Sequence, residues 1–356
     1  MSYFDDLRGA IDDGRNGKNM GYSIGLPRLD RHVNLRKKMF YMLMGSTGSG
    51  KSAFLHDAFI LNPLELNPHA KIKHILFSME RSKSFILAKW LCRKIFLDTG
   101  LLINLGTMLN WYGDKLTDSA LRMIDEYEEY FLFLEEHIDI YEGSRSTNDI
   151  FRIVKEYSEA HGDIVPDGEY RRKYIPKDKD ALVCVDIDHG GLIKTIKEHP
   201  TKKGSIDRTV EHCQYFRDFL GYSNVWVNQL NRDLSSPLYA KLQSFEPHID
   251  NAKESGTIGE AADVAISIFD PLRYGTEDRY YGDVNKFKSN ETGHKYFRNI
   301  KVLKNSMGID DAAVGTVFQG ETGRFAELPK SSHIRETWKD TEYERIFNNS
   351  YFLKSD

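Results

Sequence analysis

Residues Gly45-Ser46-Thr47-Gly48-Ser49-Gly50-Lys51-Ser52 fit the pattern Gly, four free positions, Gly-Lys-Ser/Thr without a mismatch. The chemistry this spacing suits is the cradling of a triphosphate. The glycines let the backbone close tightly, so that its N–H groups point inward at phosphate oxygens. Lys51 then reaches the β- and γ-phosphates, and the Ser52 hydroxyl is a ligand for the Mg²⁺ that accompanies ATP. An apolar run, MFYMLMG (39–45), leads in, and a helical run, SAFLHDAFI (52–60), leads out. The helix N-terminus adds its own partial positive charge. These flanks weigh against a mere glycine-rich turn with an exposed lysine.

Hydrolysis needs an acid near Mg²⁺ and a group that orients the attacking water. Glu80 follows the apolar run KHILFSM (73–79), where a carboxylate can align water or take its proton; a solvated charge at a strand end is the plainer alternative. In ALVCVDID (181–188), Asp186 and Asp188 are two apart and share one strand face, so either could support Mg²⁺. Two acids ending an apolar strand are costly unless a cation or donor satisfies them. NVWVNQL (224–230) ends in Asn228 and Gln229, followed by Asn231 and Arg232, and an amide there can sense a γ-phosphate. His189, beside Asp188, reads as a hydrogen-bonded structural residue. The twelve histidines show no metal-ligand spacing, so nucleotide-bound Mg²⁺ is the one metal expected.

The elements that must position these groups alternate. The four apolar runs above, with HIDIYEG (137–143) and ADVAISIF (262–269), read as buried strands. SFILAKWLCRKIF, TNDIFRIVKEYSEA and DRTVEHCQYFRDFL have helical spacing. FRNIKVLKN and AAVGTVFQG read as closing strands. Such alternation predicts an α/β fold, a P-loop NTPase core with a mostly parallel central sheet flanked by helices. Residues 161–180 are polar and carry two prolines, which predicts a surface insertion; 271–296 reads as a second exposed loop. The expected division is a linker segment over 1–20, the motor over 21–328 and a tail over 329–356 with aromatics at Trp338, Tyr343, Phe347, Tyr351 and Phe352.

With 49 Lys plus Arg against 53 Asp plus Glu, the net charge of −4 excludes coating of nucleic acid by bulk positive charge, though not binding through a local basic patch. Three scattered cysteines, with no C-x-x-C pair, predict neither a disulfide framework nor a zinc site, and a reducing, cytoplasmic setting. No apolar run is long enough to span a membrane, and the N-terminus lacks a signal-peptide core.

The order of motifs resembles the RecA-like motor domain of DnaB-like hexameric replicative helicases, in its phage form, over about residues 21–328. SIGLPRLDRHV is similar to the family's entry segment, GSTGSGKS to its Walker A motif, and FSMERS to the segment whose catalytic glutamate falls on Glu80. DHGGLI (188–193) matches the end of Walker B, which puts the metal-supporting aspartate on Asp188 and leaves Asp186 as runner-up. VNQLNR puts the γ-phosphate sensor on Gln229. KESGTIGEAADVAISIF and VLKN…VGTVFQGETGRF resemble later segments. The family carries Lys-x-Arg on the late strand, both cations reaching the neighbouring subunit's γ-phosphate. Here Lys304 is kept and Ser306 stands at the arginine position, with Arg298 and Arg324 as candidate substitutes.

The resemblance implies an ATP-dependent 5′-to-3′ DNA helicase. It implies a ring, commonly a hexamer, that moves on single-stranded DNA in the cytoplasm (the host's, for a virus) and meets a primase or a loader. Only about 20 residues precede the motor, so the family's N-terminal collar is expected to have no counterpart; residues 3–13 could form the linker helix that packs on a neighbour. In this fold the loops after the Walker B and sensor strands face the channel. That makes Lys194, Lys197, Lys202, Lys203 and Arg208, with Arg232 in the second loop, candidates for gripping DNA phosphates. Two other functions fit less of the sequence: a RecA-like DNA-binding ATPase that does not unwind (a recombinase or loading factor), and a nucleotide-stabilised scaffold.

Overall fold

The computed structural model describes residues 3–17, 19–111, 113, 116–169, 171–230, 246–251, 256–285 and 295–333. Its strands are β1 (Phe40–Gly45), β2 (Ile72–Ser78), β3 (Ile138–Glu142), β4 (Gly162–Pro166), β5 (Arg172–Pro176), β6 (Leu182–Asp188), β7 (Ser223–Gln229), β8 (Val264–Phe269), β9 (Phe297–Asn305), β10 (Ala313–Gln319) and β11 (Arg324–Glu327). Nine of the described strands form one sheet in the order β11-β10-β9-β8-β1-β7-β6-β2-β3. From β8 to β3 every pairing is parallel. The β9, β10 and β11 pairings are antiparallel.

Alternation along β1 supplies both faces of the core. Tyr41 and Leu43 pack with Phe54, Phe59 and Trp90 on one side. Phe40, Met42 and Met44 pack with Ile150, Val210 and Phe216 on the other. A strand buried on both faces reads as a continuous apolar run, as β1 does. Each such side chain contributes about 1.5–3 kcal/mol by leaving water.

The helix leaving β1 changes winding. It is α-helical over Lys51–Phe54, π-helical over Leu55–Leu61 and α-helical again over Asn62–Leu66. Pro63 offers no N–H to the preceding turn, and the Asn62 N–H reaches back five residues to the Asp57 carbonyl. On the opposite face, the helix Thr147–His161 starts at a reciprocal Ser146–Asp149 capping box.

Several expectations change in detail. Residues 161–180 hold an antiparallel hairpin, β4 with β5, because Pro166 and Pro176 sit at strand ends where little of the ladder is lost. Residues 271–274 form a short helix, Pro271–Tyr274. Strand β11 and the helices Leu105–Met108, Asp118–Asp125 and Glu128–His137 add to the expected elements. Residues 286–294 and the tail aromatics beyond 333 lie outside the described residues. Among the described residues, no helix is long and apolar enough to cross a membrane.

Candidate nucleotide-binding site

The parallel strands bring their carboxyl ends together at the middle of the sheet. Gly45 is in register with Gln229 on β7, and Ser78 with Asp188 on β6. Ligands of open α/β sheets bind outside these ends. The loop from Gly45 to Gly50 needs its glycines. A Cβ on Gly45 would lie 2.6 Å from the Ile268 carbonyl, and Gly50, at φ 100°, would press one against Phe325 and Phe318.

Four of the expected side chains meet here. Ser52 Oγ donates to Asp188 Oδ1 at 2.9 Å. Lys51 Nζ donates to the Ser46 carbonyl at 2.9 Å. Gln229 Nε2 donates to Thr47 Oγ1 at 2.6 Å. Glu80 is half exposed at the end of β2, with Oε1 3.3 Å from Arg81 Nη2 and Oε2 4.0 Å from His189 Nε2. His189 therefore faces Glu80, a contact its position beside Asp188 does not reveal.

The two aspartates of β6 part company. Asp186 Oδ2 lies 2.7 Å from His74 Nδ1, and both side chains are fully buried. Asp188 alone turns to the loop. Burial pushes its carboxyl up to about 6 against the opposing effects of Ser52 and Lys51, with Glu80 adding to the rise. Burial also pulls the Lys51 ammonium down to about 8; Asp188 and Glu80 oppose this, and Arg273 adds to it. Both shifts describe charges held out of water, which a triphosphate and a divalent cation would compensate.

The residues present fit such a ligand. Among the described residues, the Oγ atoms of Ser46 and Ser49 are buried without a hydrogen-bond partner. Leaving a buried hydroxyl unmet costs about 1–3 kcal/mol, which phosphate oxygens would remove. A hydroxyl and a carboxylate, Ser52 and Asp188, are the hard oxygen donors that Mg²⁺ takes.

Two arginines grip the loop from the β8–β9 side. Arg298 Nε donates to the Ser49 carbonyl at 2.9 Å, and its guanidinium lies 5.2 Å from the Phe318 ring centroid. Arg273 Nη1 donates to the Thr47 carbonyl. Asp270 organises both: Oδ1 accepts from the Arg273 backbone N–H at 3.2 Å, and Oδ2 lies 3.4 Å from Arg298 Nη1. Sequence reasoning missed Arg273; its signal is the Asp-Pro pair straight after an apolar run, which marks a helix start. A cleft of about 260 Å³ opens beside Arg298, lined by Asp270, Lys295, Tyr296 and Phe318.

Other candidates lie elsewhere. Lys304 Nζ donates to the Gly259 and Glu260 carbonyls, at 3.0 Å each. Lys304 pairs with Ala265 near the start of β8, whereas the phosphate loop meets β8 at Ile268, near its end. It is thus at the far edge of the sheet from its own loop. Arg324 is half-buried, its guanidinium 6.0 Å from the Phe96 ring centroid. Lys194 and Lys197 are exposed on the segment after β6. Lys202, Lys203 and Arg208 stand on the helix Lys202–Tyr215, so the basic stretch is half helix; Thr201 caps it, which ends the loop early. Lys202 Nζ donates to the Ile193 carbonyl, and Arg208 pairs with Glu211. Arg232 lies outside the described residues.

A nine-stranded, centrally parallel sheet with a phosphate loop after β1 and a carboxylate ending β6 is the RecA-like core of a P-loop NTPase. Among solved structures, the ATPase domain of a helicase matches with a TM-score of 0.68 and 17% identity, over 92% of this chain and 99% of that one. A DnaB-like replicative helicase, described with its interactions with primase, matches with a TM-score of 0.65 and 17% identity, over 92% of this chain and 67% of that one. At such identities the likeness is one of fold. No family model matches the sequence, and no curated protein does.

Proposed function

We propose that the chain is the motor of an ATP-dependent DNA helicase of the DnaB-like type, with residues 21–328 coupling ATP hydrolysis to translocation on single-stranded DNA and to duplex unwinding. The observation that carries this is the Ser52–Asp188 contact at 2.9 Å, which pairs the loop hydroxyl with the one β6 carboxylate turned toward it. Ser52 and Asp188 would hold Mg²⁺, which supplies charge neutralisation at the phosphate oxygens when bound. Lys51 leaves the Ser46 carbonyl for the β- and γ-phosphates. Glu80 aligns the attacking water and takes its proton. Gln229 exchanges Thr47 for the γ-phosphate and transmits its loss to the loop after β7. The cleft at Tyr296 and Phe318 suits the nucleobase.

Assembly into a homo-oligomeric ring, hexameric in the family, has two supports. The helix Tyr3–Arg15 exposes Tyr3, Leu7 and Ile11 at helical spacing, an apolar face suited to a second copy. Lys304, remote from its own loop, suits the site of a neighbour. Lys194, Lys197, Lys202, Lys203, Arg208 and Arg232 would line the strand's path, and a primase or loader would be a further partner in the cytoplasm.

Ser306, at the position of the family's arginine, favours a second reading, a RecA-like ATPase that binds DNA without unwinding it. The scaffold reading leaves Glu80 and Asp188 without a task. Displacement of a labelled strand from a forked duplex by the full chain with ATP and Mg²⁺ separates these. The helicase reading expects release in wild type and none in Lys51→Ala. DNA-stimulated hydrolysis without release selects the second reading.

A further inference from the structure

Ser306 leaves the reaction short of one cation, and the two candidate substitutes are committed elsewhere. Arg298 is 5% exposed and holds the Ser49, Lys295 and Phe297 carbonyls. Arg324 is half-buried against Phe96. Arg273 differs in both respects. It is exposed, and its Nη1 donates to the Thr47 carbonyl at the apex of the loop. Thr47 is also where Gln229 ends, through its hydroxyl. One loop residue therefore receives the sensor amide on its side chain and Arg273 on its backbone.

The placement of Arg273 is built, not incidental. Asp270 caps the Arg273 N–H, Pro271 fixes the first turn, and Tyr274 stacks on Phe269 with ring centroids 5.6 Å apart. Asp270 also pairs with Arg298, which ties the turn to the loop at a second point. A guanidinium has five N–H donors, and a carbonyl takes one; the others can meet phosphate oxygens without releasing the loop.

We propose that Arg273 is a catalytic residue acting within its own subunit, contacting the γ-phosphate held in the Gly45–Ser52 loop and supplying the charge that Ser306 cannot. This rests on the ATPase reading above. In the step, the water oxygen bonds to the γ-phosphorus as the bond to the β,γ-bridging oxygen breaks. The water proton goes to Glu80 and the electron pair to ADP. Arg273 exchanges no proton; it stabilises the charge spread over the equatorial oxygens.

The test compares wild type, Arg273→Ala and Arg273→Lys in the full chain by single-turnover ATP hydrolysis and by ADP binding. The expected result is a loss of about 100-fold in rate for Arg273→Ala, partial recovery in Arg273→Lys, and ADP affinity within about twofold of wild type. A rate near wild type, or ADP affinity falling in step with the rate, overturns the proposal; the latter is what a mere loop prop would give. Recovery of turnover on mixing Arg273→Ala with Lys51→Ala subunits would place the residue in trans and overturn it too. If wild type itself turns over no ATP, the ATPase reading fails and takes this proposal with it; a normal Arg273→Ala rate beside active wild type sinks the proposal alone.

Discussion

Ser52 Oγ and Asp188 Oδ1, 136 residues apart in sequence, lie 2.9 Å apart at the carboxyl edge of the sheet. This closeness depends on β1 and β6 both flanking β7, which brings the helix after β1 under the end of β6. The proposed metal chemistry follows from that adjacency.

The two aspartates of β6 should therefore fail differently. Asp188→Asn is expected to abolish Mg²⁺-dependent hydrolysis while the fold stands. Asp186→Ala strands a buried histidine partner and should lower stability by about 3 kcal/mol. Urea melts and turnover on both variants check this; equal loss of activity at equal stability would argue against the assignment.

Lys51 and Glu80 should separate binding from chemistry. Lys51→Ala removes a charge aimed at the phosphates and should weaken ATP binding at least about tenfold, the worth of one charge-assisted hydrogen bond. Glu80→Gln should bind ATP nearly as wild type yet hydrolyse it about 10²–10⁴-fold more slowly, the span usual for a lost general base. Equilibrium binding of a fluorescent ATP analogue, with product assays, distinguishes them.

Asp188 also sets a pH dependence. Its carboxyl titrates at about 6 in the fold, against the 3.8 ordinary for an aspartate. The folded chain thus holds a proton the unfolded chain has released between these values, and stability from this group falls as pH rises through that window. Its upper bound is about 3 kcal/mol. Ligand-free Asp188→Asn should gain on wild type from about pH 4 to 6 and hold the gain above. In wild type, hydrolysis should fall as pH drops through about 6, because the protonated carboxyl is no longer a metal ligand. A stability gap that does not move with pH would contradict the burial argument.

Binding of single-stranded DNA should be strongly salt dependent. Replacing Lys194, Lys197 and Lys203 by alanine should flatten the plot of log affinity against log salt by about 0.7 for each phosphate no longer neutralised. Arg208→Ala should change it less, since Glu211 already holds that guanidinium at 2.6 Å. An unchanged slope in the triple variant would move the DNA path elsewhere.

Much of this is legible in the residues alone. The phosphate loop and the strands β1, β2, β6 and β7 announce themselves because apolar runs end in polar residues at sheet edges. The choice between Asp186 and Asp188 cannot be read from spacing, since both share a face; it turns on His74 of the neighbouring strand, a diagonal pairing that only the β2–β6 register reveals. Arg273 is hidden for the same reason, its role arising from β8 lying beside β1. The hairpin β4–β5 is hidden by prolines that break a helix but close a ladder.

The most direct measurement is ATP turnover by the full chain with and without single-stranded DNA, in Mg²⁺ at neutral pH. The account expects turnover that rises severalfold with DNA and vanishes in Glu80→Gln. A rate that ignores DNA, or survives the loss of Glu80, would contradict it.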